Sequence, residues 1–588
     1  MNTKLNTCGS ASDGLRPATR ARNAQYAVRS TKNGFVLPLV IIGMVILMAL
    51  IIGATMTSYG SRIQAVQTKS QTEAMLAAEA GYEQAIFWMS QQGDILGAIP
   101  GNGSITFGTG SCSYAISFHG FIGARPVFRV TSTGTCGRPS FTRIVDVDVV
   151  QETSGWAMGS CTIPNGTSST TGVYFGNSEV INMPLHINKQ NDNPDVADIF
   201  ISGSPTFLQK VEMGEDRKTS GGTDKYSSVM TCFQQGIEFG QPNVRITDAT
   251  AVQSKVTRFK NSTLAAYQFT PNLTSLPTTT PFSSSESAYK TPAVQLEFFV
   301  SGGIGYIRIT NNCAVRLMDP GPSDYNCVTA TTFNQYKIYG YHYKPNSSTC
   351  PTCQTTVPIT NTYVTQTIGG YTSDPGGQIY VNGNVIIGGD SNSSTDPNQV
   401  VNGKITVVAT GNIWIADSIR AYGPVDRSLD PNGIPNANTN TSVLGLIAQG
   451  VIKVVDPGLT PTSPGPVNPA GYSYQPIGIK KNTSDPNYTR YLPDPTIVEA
   501  AMTVGGGGWG AENTPNRRVY SGTQDFLIVH GSITEVVRGI VGHLGSDGYI
   551  KQYYIDTRLM SGILPGDIWL SGKYIPAPAG WHDHSANN

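Results

Sequence analysis

Charge is what this chain has least of. Lys, Arg, Asp and Glu make up only 13% of its 588 residues, about half the share usual in a soluble domain. Neither sign is in excess overall, with 39 basic and 39 acidic side chains. The balance is uneven along the chain, because Lys4, Arg16, Arg20, Arg22, Arg29 and Lys32 precede residue 35 with one acid, Asp13, so that acids outnumber bases by five in the remainder. A mildly acidic body with no cationic cluster argues against nucleic acid as a partner. The 65 Gly and 37 Pro leave little room for long helical bundles and imply many turns. With 39% hydrophobic residues and 27 Tyr, a disordered tail is also excluded. The length allows two to four domains, or one elongated repeat-like body with additions.

One uncharged run stands out. Phe35–Ser61 reads FVLPLVIIGMVILMALIIGATMTSYGS, with Tyr59 its sole ionisable side chain. About 20 apolar residues suffice to cross a bilayer as a helix. Pro38 falls in the first turn, where a missing N–H costs little, and Gly43 and Gly53 are tolerated in a membrane helix. The run exceeds the roughly 7–15 apolar residues of a secretory signal. The six preceding cations favour a cytoplasmic N-terminus. From Arg62 to Ser90 the chain has no Pro and one Gly, and Ile63, Val66, Ala74, Ala77, Ala78, Ala85 and Trp88 share a helical face. A single helix over 35–90 is expected, about 84 Å long, with its transmembrane part at 35–61.

Lys32-Asn33-Gly34 before Phe35 and the apolar run resembles the class III leader of type IV pilins and type II secretion pseudopilins. The resemblance implies that a prepilin peptidase cuts after Gly34 and methylates Phe35, making 1–34 a basic prepilin leader. Ala78-Glu79-Ala80-Gly81, with Tyr82 and Glu83 after it, resembles the end of the N-terminal helix of PilX-type minor pilins. Pilins usually carry Glu at the fifth mature position, where it pairs with a neighbour's amine. That position here is Leu39, and the missing acid resembles PilX-type and tip pseudopilins. A buried acid in lipid costs roughly 2.5–3.5 kcal/mol, so it is kept only where a partner offsets it.

Beyond Ser90 the periodicity becomes alternating. Pro126–Gly134 and Phe141–Val150 read as strands around a turn, with Ser104–Phe107 and Ser113–Phe118 as further strands. Residues 91–150 suffice for a small β-meander headgroup. Residues 151–370 read as a β-rich, loop-rich region; Leu185–Ile187, Ile199–Ile201, Val294–Val300 and Ile304–Ile309 are its strand-like runs. From 371 to 588 a β-solenoid or β-roll is expected, with a β-sandwich as the alternative. Gln378–Gly388, Ile405–Ile415, Leu444–Val454 and Phe526–Ile533 each join β-rich residues through a Gly or Asn corner. Loop insertions are expected at 421–441 and 456–495, and Thr496–Thr503 is expected to be a short helix. The fold class is therefore a long N-terminal transmembrane and amphipathic helix followed by a mainly-β body. The C-terminal sequence bears a loose likeness to large PilX-like and pilus-associated surface proteins.

Of nine cysteines, Cys8 lies in the expected leader. Cys112, Cys136, Cys161, Cys232, Cys313, Cys327, Cys350 and Cys353 fall beyond the membrane, where disulfides are expected. Eight cysteines allow 105 pairings; Cys112–Cys136 and Cys313–Cys327 are the preferred local ones. Cys350-Pro351-Thr352-Cys353 sits in a Pro/Ser/Thr loop rather than at a helix N-terminus, which disfavours redox catalysis, and no second pair completes a zinc site. Gly505–Gly510 fits GxGxxG but has no strand–turn–helix around it. His582-Asp583-His584 reads as a solvated tail. Asp390, Asp417, Asp525 and Glu535 are the carboxylates a carbohydrate-cutting solenoid would use, with nothing in the sequence to pair them.

No enzyme activity, cofactor or metal is therefore expected. The chain is read as a minor pilin-like structural protein of a type IV pilus, priming or tip-located, with a large extracellular β domain for adhesion or assembly. The alternatives are a type II secretion minor pseudopilin and a membrane-tethered β-helix enzyme acting on carbohydrate. Expected partners are other pilin subunits through the N-terminal helix, the prepilin peptidase, the inner membrane before assembly, and a surface or carbohydrate ligand. The expected location is the bacterial inner membrane, single-pass with a cytoplasmic N-terminus, and then the pilus or cell surface.

Overall fold

The computed structural model describes residues 36–108, 110–137, 140–152, 155–160, 172–190, 192–244, 249–272, 289–318, 337–345, 348, 350–388, 398–423, 440–455, 472–476, 495–505, 508–511, 526–539, 541–543, 547–566 and 573–585. The chain divides into two compact units, Met1–Lys69 and Ser70–Asn588.

A single α-helix, α1, spans Val36–Ser90. In the first unit every described residue belongs to it and is exposed. An 18-residue window there has mean hydropathy 3.0 with none of its surface buried, so the helix is long and apolar enough to cross a membrane. Being hydrophobic all round, it matches a span better than a soluble surface helix.

The second unit opens with the rest of α1. Ala74, Ala77, Ala78, Gly81, Tyr82, Ala85 and Met89 form its buried stripe, while Ile63 and Val66, expected on the same face, are exposed. The stripe packs on an antiparallel meander of β1 (Gly101–Phe107), β2 (Gly110–Ile122), β3 (Arg125–Cys136) and β4 (Phe141–Gln151). Small residues let the backbones meet. A Cβ on Gly134 of β3 would lie 2.2 Å from Ala74 O and Ala78 N, and Ser132 Oγ donates to Ala78 O at 2.7 Å. In β4, Val145, Val147 and Val149 point inward with no exposed surface, as their alternation with Asp146 and Asp148 requires. The sheet is completed from the far end of the chain, because Tyr574–Ser585 pairs antiparallel with β4. The headgroup is thus larger than 91–150, and His582-Asp583-His584 lie in a strand rather than in a solvated tail.

Between Gln151 and Tyr574 lies a solenoid with three parallel faces. On the first, one inward ladder runs Ile379–Val407–Leu446–Met502–Ile533–Trp156–Leu185–Val211–Ile237. On the second, Ile419, Val498, Val529, Tyr553, Ile181 and Phe207 stack likewise. The third joins Tyr289–Ser301 to Asn384–Ile387, Ile413–Ile415, Ile452–Val454 and Trp509–Ala511. The corners explain the Gly/Asn signal. Asn384 Oδ1 accepts from Asn412 N at 2.9 Å, and Asn412 Oδ1 from Val451 N at 3.0 Å. A Cβ on Gly411 or Gly450 would lie 2.3 or 2.1 Å from those oxygens, so each glycine makes room for the asparagine of the rung before it.

The ladder order corrects the boundary expected at 370/371. Strands between Trp156 and Glu238 continue the same sheet as those between Gly376 and Ile555. The chain builds the early part of the sequence onto the end of the later part, returning through the helix Ala249–Ser262 and the hairpin Tyr289–Ser301/Ile304–Met318. Among the described residues no β-sandwich forms. Thr496–Thr503 is not a helix: Thr496–Val498 and Ala501–Val504 are strands of two faces around a corner, since Val498, Met502 and Val504 alternate into the core. Insertions 421–441 and 456–495 lie largely outside the described residues.

Candidate functional site

Gly34 and Phe35 lie outside the described residues. Leu39 lies in α1 with 68% of its surface exposed, apolar where a carboxylate was expected to be missing. Around it Val36, Leu37, Ile41, Ile42 and Met44 are exposed to a similar degree, giving a helix surface with no polar group to fix an orientation in lipid.

Cys350 and Cys353 are joined by a disulfide in a turn that leads into the strand Gln354–Pro358. The Cys112–Cys136 bond expected from sequence is not formed. The register sets Cys112 opposite Gly134, which leaves Cys136 on the diagonal, where its Sγ lies 3.5 Å from Glu73 Oε2. Cys232 and Cys313 are buried thiols, and burial pushes the Cys313 thiol up to about 12. Cys161 and Cys327, and with the latter the Cys313–Cys327 pairing, lie outside the described residues.

The two described carboxylates do not form an exposed pair. Asp417 and Glu535 have no exposed surface, while Asp390 and Asp525 lie outside the described residues. Glu535 occupies an inward ladder position beside Met158 and Val504. Its Oε1 accepts from Trp156 Nε1 at 3.0 Å and its Oε2 from Trp509 N at 2.8 Å. Burial raises its pKa, against the opposing field of Arg538. Of Gly505–Gly510, Trp509 and Gly510 belong to the third-face strand Trp509–Ala511, and Gly506 and Gly507 lie outside the described residues. Among the described residues no group of three or more His, Cys, Asp or Glu could hold a metal ion.

Two charged clusters went unread in the sequence, the first because Lys573 lies hundreds of residues from its partners and the second because nothing in the spacing of its acids and bases marks it. At the neck between solenoid and headgroup, Glu212 accepts from Lys573 Nζ at 3.2 Å and lies 3.1 Å from His186 Nδ1. The hydrogen bond to His186, with Lys573 adding its charge, holds the Glu212 carboxyl at about 2. His186 Nε2 in turn meets Asn188 Oδ1 at 3.0 Å. His186, Glu212 and Lys573 line a cleft with Glu83 and Phe87 of α1 and Tyr574. Every partner is satisfied internally, so the cluster reads as a structural lock.

The second cluster lies in the solenoid wall. Glu215 is bonded by Lys225 and Tyr226 and accepts from Asp198 N at 3.0 Å. Burial, with the negative Glu215 adding to it, pushes the Asp198 carboxyl up to about 7. A raised acid favours the fold below its unfolded value and loses that contribution as pH rises through the folded one. Asp198→Asn should therefore match the parent near pH 4 and exceed it in stability at pH 8 by about 2–4 kcal/mol, at about 1.4 kcal/mol per pKa unit. Urea unfolding in detergent at the two pH values measures this; equal stabilities at pH 8 would contradict it.

Among solved structures the chain is similar to the crystal structure of the competence-associated pilin ComZ from Thermus thermophilus, at 10% sequence identity, over 88% of this chain and 98% of that one, with a TM-score of 0.26. A likeness of that size assigns neither fold nor family. No family model and no curated protein matches the chain.

Proposed function

We propose that the chain is a pilin-like minor subunit of a type IV pilus, built into the fibre through α1 and presenting its solenoid outward. One observation carries the reading: a single 55-residue helix, Val36–Ser90, is uncharged and exposed in its first part and packs a small-residue stripe on an antiparallel sheet in its second. Such a helix exchanges lipid for sister helices by close packing alone. Leu39 in place of an acid supports a priming or tip position, since no carboxylate is present to neutralise a neighbour's amine along a shaft. The solenoid would then be displayed for adhesion or for control of assembly. The role is structural rather than catalytic, with Asp417 and Glu535 sealed inside the stack.

Labelled protein followed into sheared surface filaments tests this. The expected result is sparse labelling at filament ends, and loss of pili in a deletion strain. Uniform labelling along the shaft would remove the tip assignment. Loss of exoprotein secretion with intact pili would favour a type II secretion pseudopilin, and exclusive recovery in the membrane would overturn the filament reading.

A further inference from the structure

We infer that the headgroup sheet is a mechanical clamp that holds the solenoid to α1 in shear. The solenoid is hung from two neighbouring strands. The chain leaves the head at Gln151 and returns at Tyr574, and these two residues are paired across β4 and the last strand. The neck is tied at that point: Glu152 N donates to Lys573 O at 2.7 Å, Lys573 Nζ lies 2.9 Å from Glu152 Oε2, and the buried Arg125 donates through Nε to Gln151 O at 2.9 Å. A pull on the solenoid therefore loads β4 and Tyr574–Ser585 together, at the same end and along their length.

Resistance then falls on the β3–β4 ladder, which runs without a register shift from Val127↔Val150 to Cys136↔Phe141. Loaded lengthwise, its hydrogen bonds must break together rather than one after another. Charged residues bolt β4 to both neighbours, Asp146 and Asp148 on its solvent face and Arg143 on the face that carries Val145. Asp148 takes both ends of the Arg129 guanidinium, at 2.8 and 2.9 Å, and Asp146 accepts from Thr131 Oγ1 at 2.5 Å. On the other side Arg143 pairs with Asp583. Exposed pairs of this kind add little to equilibrium stability, but each lies across a line along which the strands would slide. α1 closes the opposite face through Gly134 and Ser132 of β3, so the rod is fixed to the strand against which β4 would slide. The inference concerns the chain itself and holds whether α1 is embedded in lipid or in a fibre.

Single-molecule pulling on the full chain in a nanodisc tests it, with handles at Glu83 and Gly222 for lengthwise load. A handle at the C-terminus instead peels Tyr574–Ser585 from β4 pair by pair. The head should rupture at several-fold higher force in the first geometry, and Arg129→Ala with Thr131→Ala, which removes the β3 partners of Asp148 and Asp146 and spares the contact of Asp146 with His584, should lower that force while leaving the peeling force unchanged. Equal rupture forces in the two geometries, or a double variant that weakens both alike, would overturn the inference.

Discussion

Lys551→Met is expected to destabilise the solenoid by about 3–5 kcal/mol, the usual cost of leaving one member of a buried ion pair alone. Lys551 is 3% exposed and Glu179 5%, and they pair across the joint where the late rung Ile550–Ile555 meets the early rung Val180–Asn182. The ammonium also donates to Tyr174 O at 3.1 Å and sits 5.0 Å from the Phe175 ring centre. Burial lowers the Lys551 pKa, with the negative Glu179 opposing. Without the lysine, the Glu179 carboxylate keeps, among the described residues, the hydrogen bond from Gly176 N at 2.9 Å. Adding Glu179→Gln should restore more than half of the loss, which a double-mutant cycle reads directly. Trp156 and Trp509 lie at the same joint, bonded to Glu535 and, through Trp509 Nε1, to Tyr553 at 3.0 Å, so their fluorescence reports its opening in urea. A cost below about 1 kcal/mol would mean that the two runs of the chain are not held by this pair.

Gly134→Ala should cost at least as much, about 3 kcal/mol or more, by prising α1 from the head. The added Cβ would meet backbone, Ala74 O and Ala78 N at 2.2 Å, and a packed core resists such a shift. Gly81→Ala meets Ser132 Oγ at 2.2 Å, a side chain that can turn away at the loss of its bond to Ala78 O, so a smaller cost is expected. Gly43→Ala has nothing within 4 Å and should leave the head unchanged. Thermal unfolding of the three variants in detergent ranks them; a tolerated Gly134→Ala would show that helix and sheet are not in direct contact.

Much of this architecture was legible in the sequence, and the reasons are local. The α1 span follows from 27 residues without a charge, and β4 from valines alternating with Asp146 and Asp148. The rungs at 378, 405 and 444 follow from Gly-Asn corners whose stacking needs both residue types. What could not be read depends on distant partners. Nothing in Trp156–Ser160 announces that it stacks on Phe526–Val537, nor in Tyr574–Ser585 that it completes a sheet begun at Gly101. Thr496–Thr503 misled because Glu-Ala-Ala is good helix sequence, while burial of Val498, Met502 and Val504 on two faces decided for strands. The neck lock was invisible for the same reason, since Lys573 meets Glu212 only once the solenoid is wound; Asp198, Glu215 and Lys225 are near one another in sequence but carry no spacing that signals a buried cluster.

The claim that the rest depends on is that α1 begins at a cut end and serves a fibre. The mass of the N-terminal peptide, taken from protein recovered in the filament fraction, tests it most directly. The account predicts a peptide that starts at Phe35 and carries one methyl group on its amine. A peptide that still starts at Met1, with the basic residues Lys4 to Lys32 retained, would contradict it and leave α1 as a permanent membrane tether.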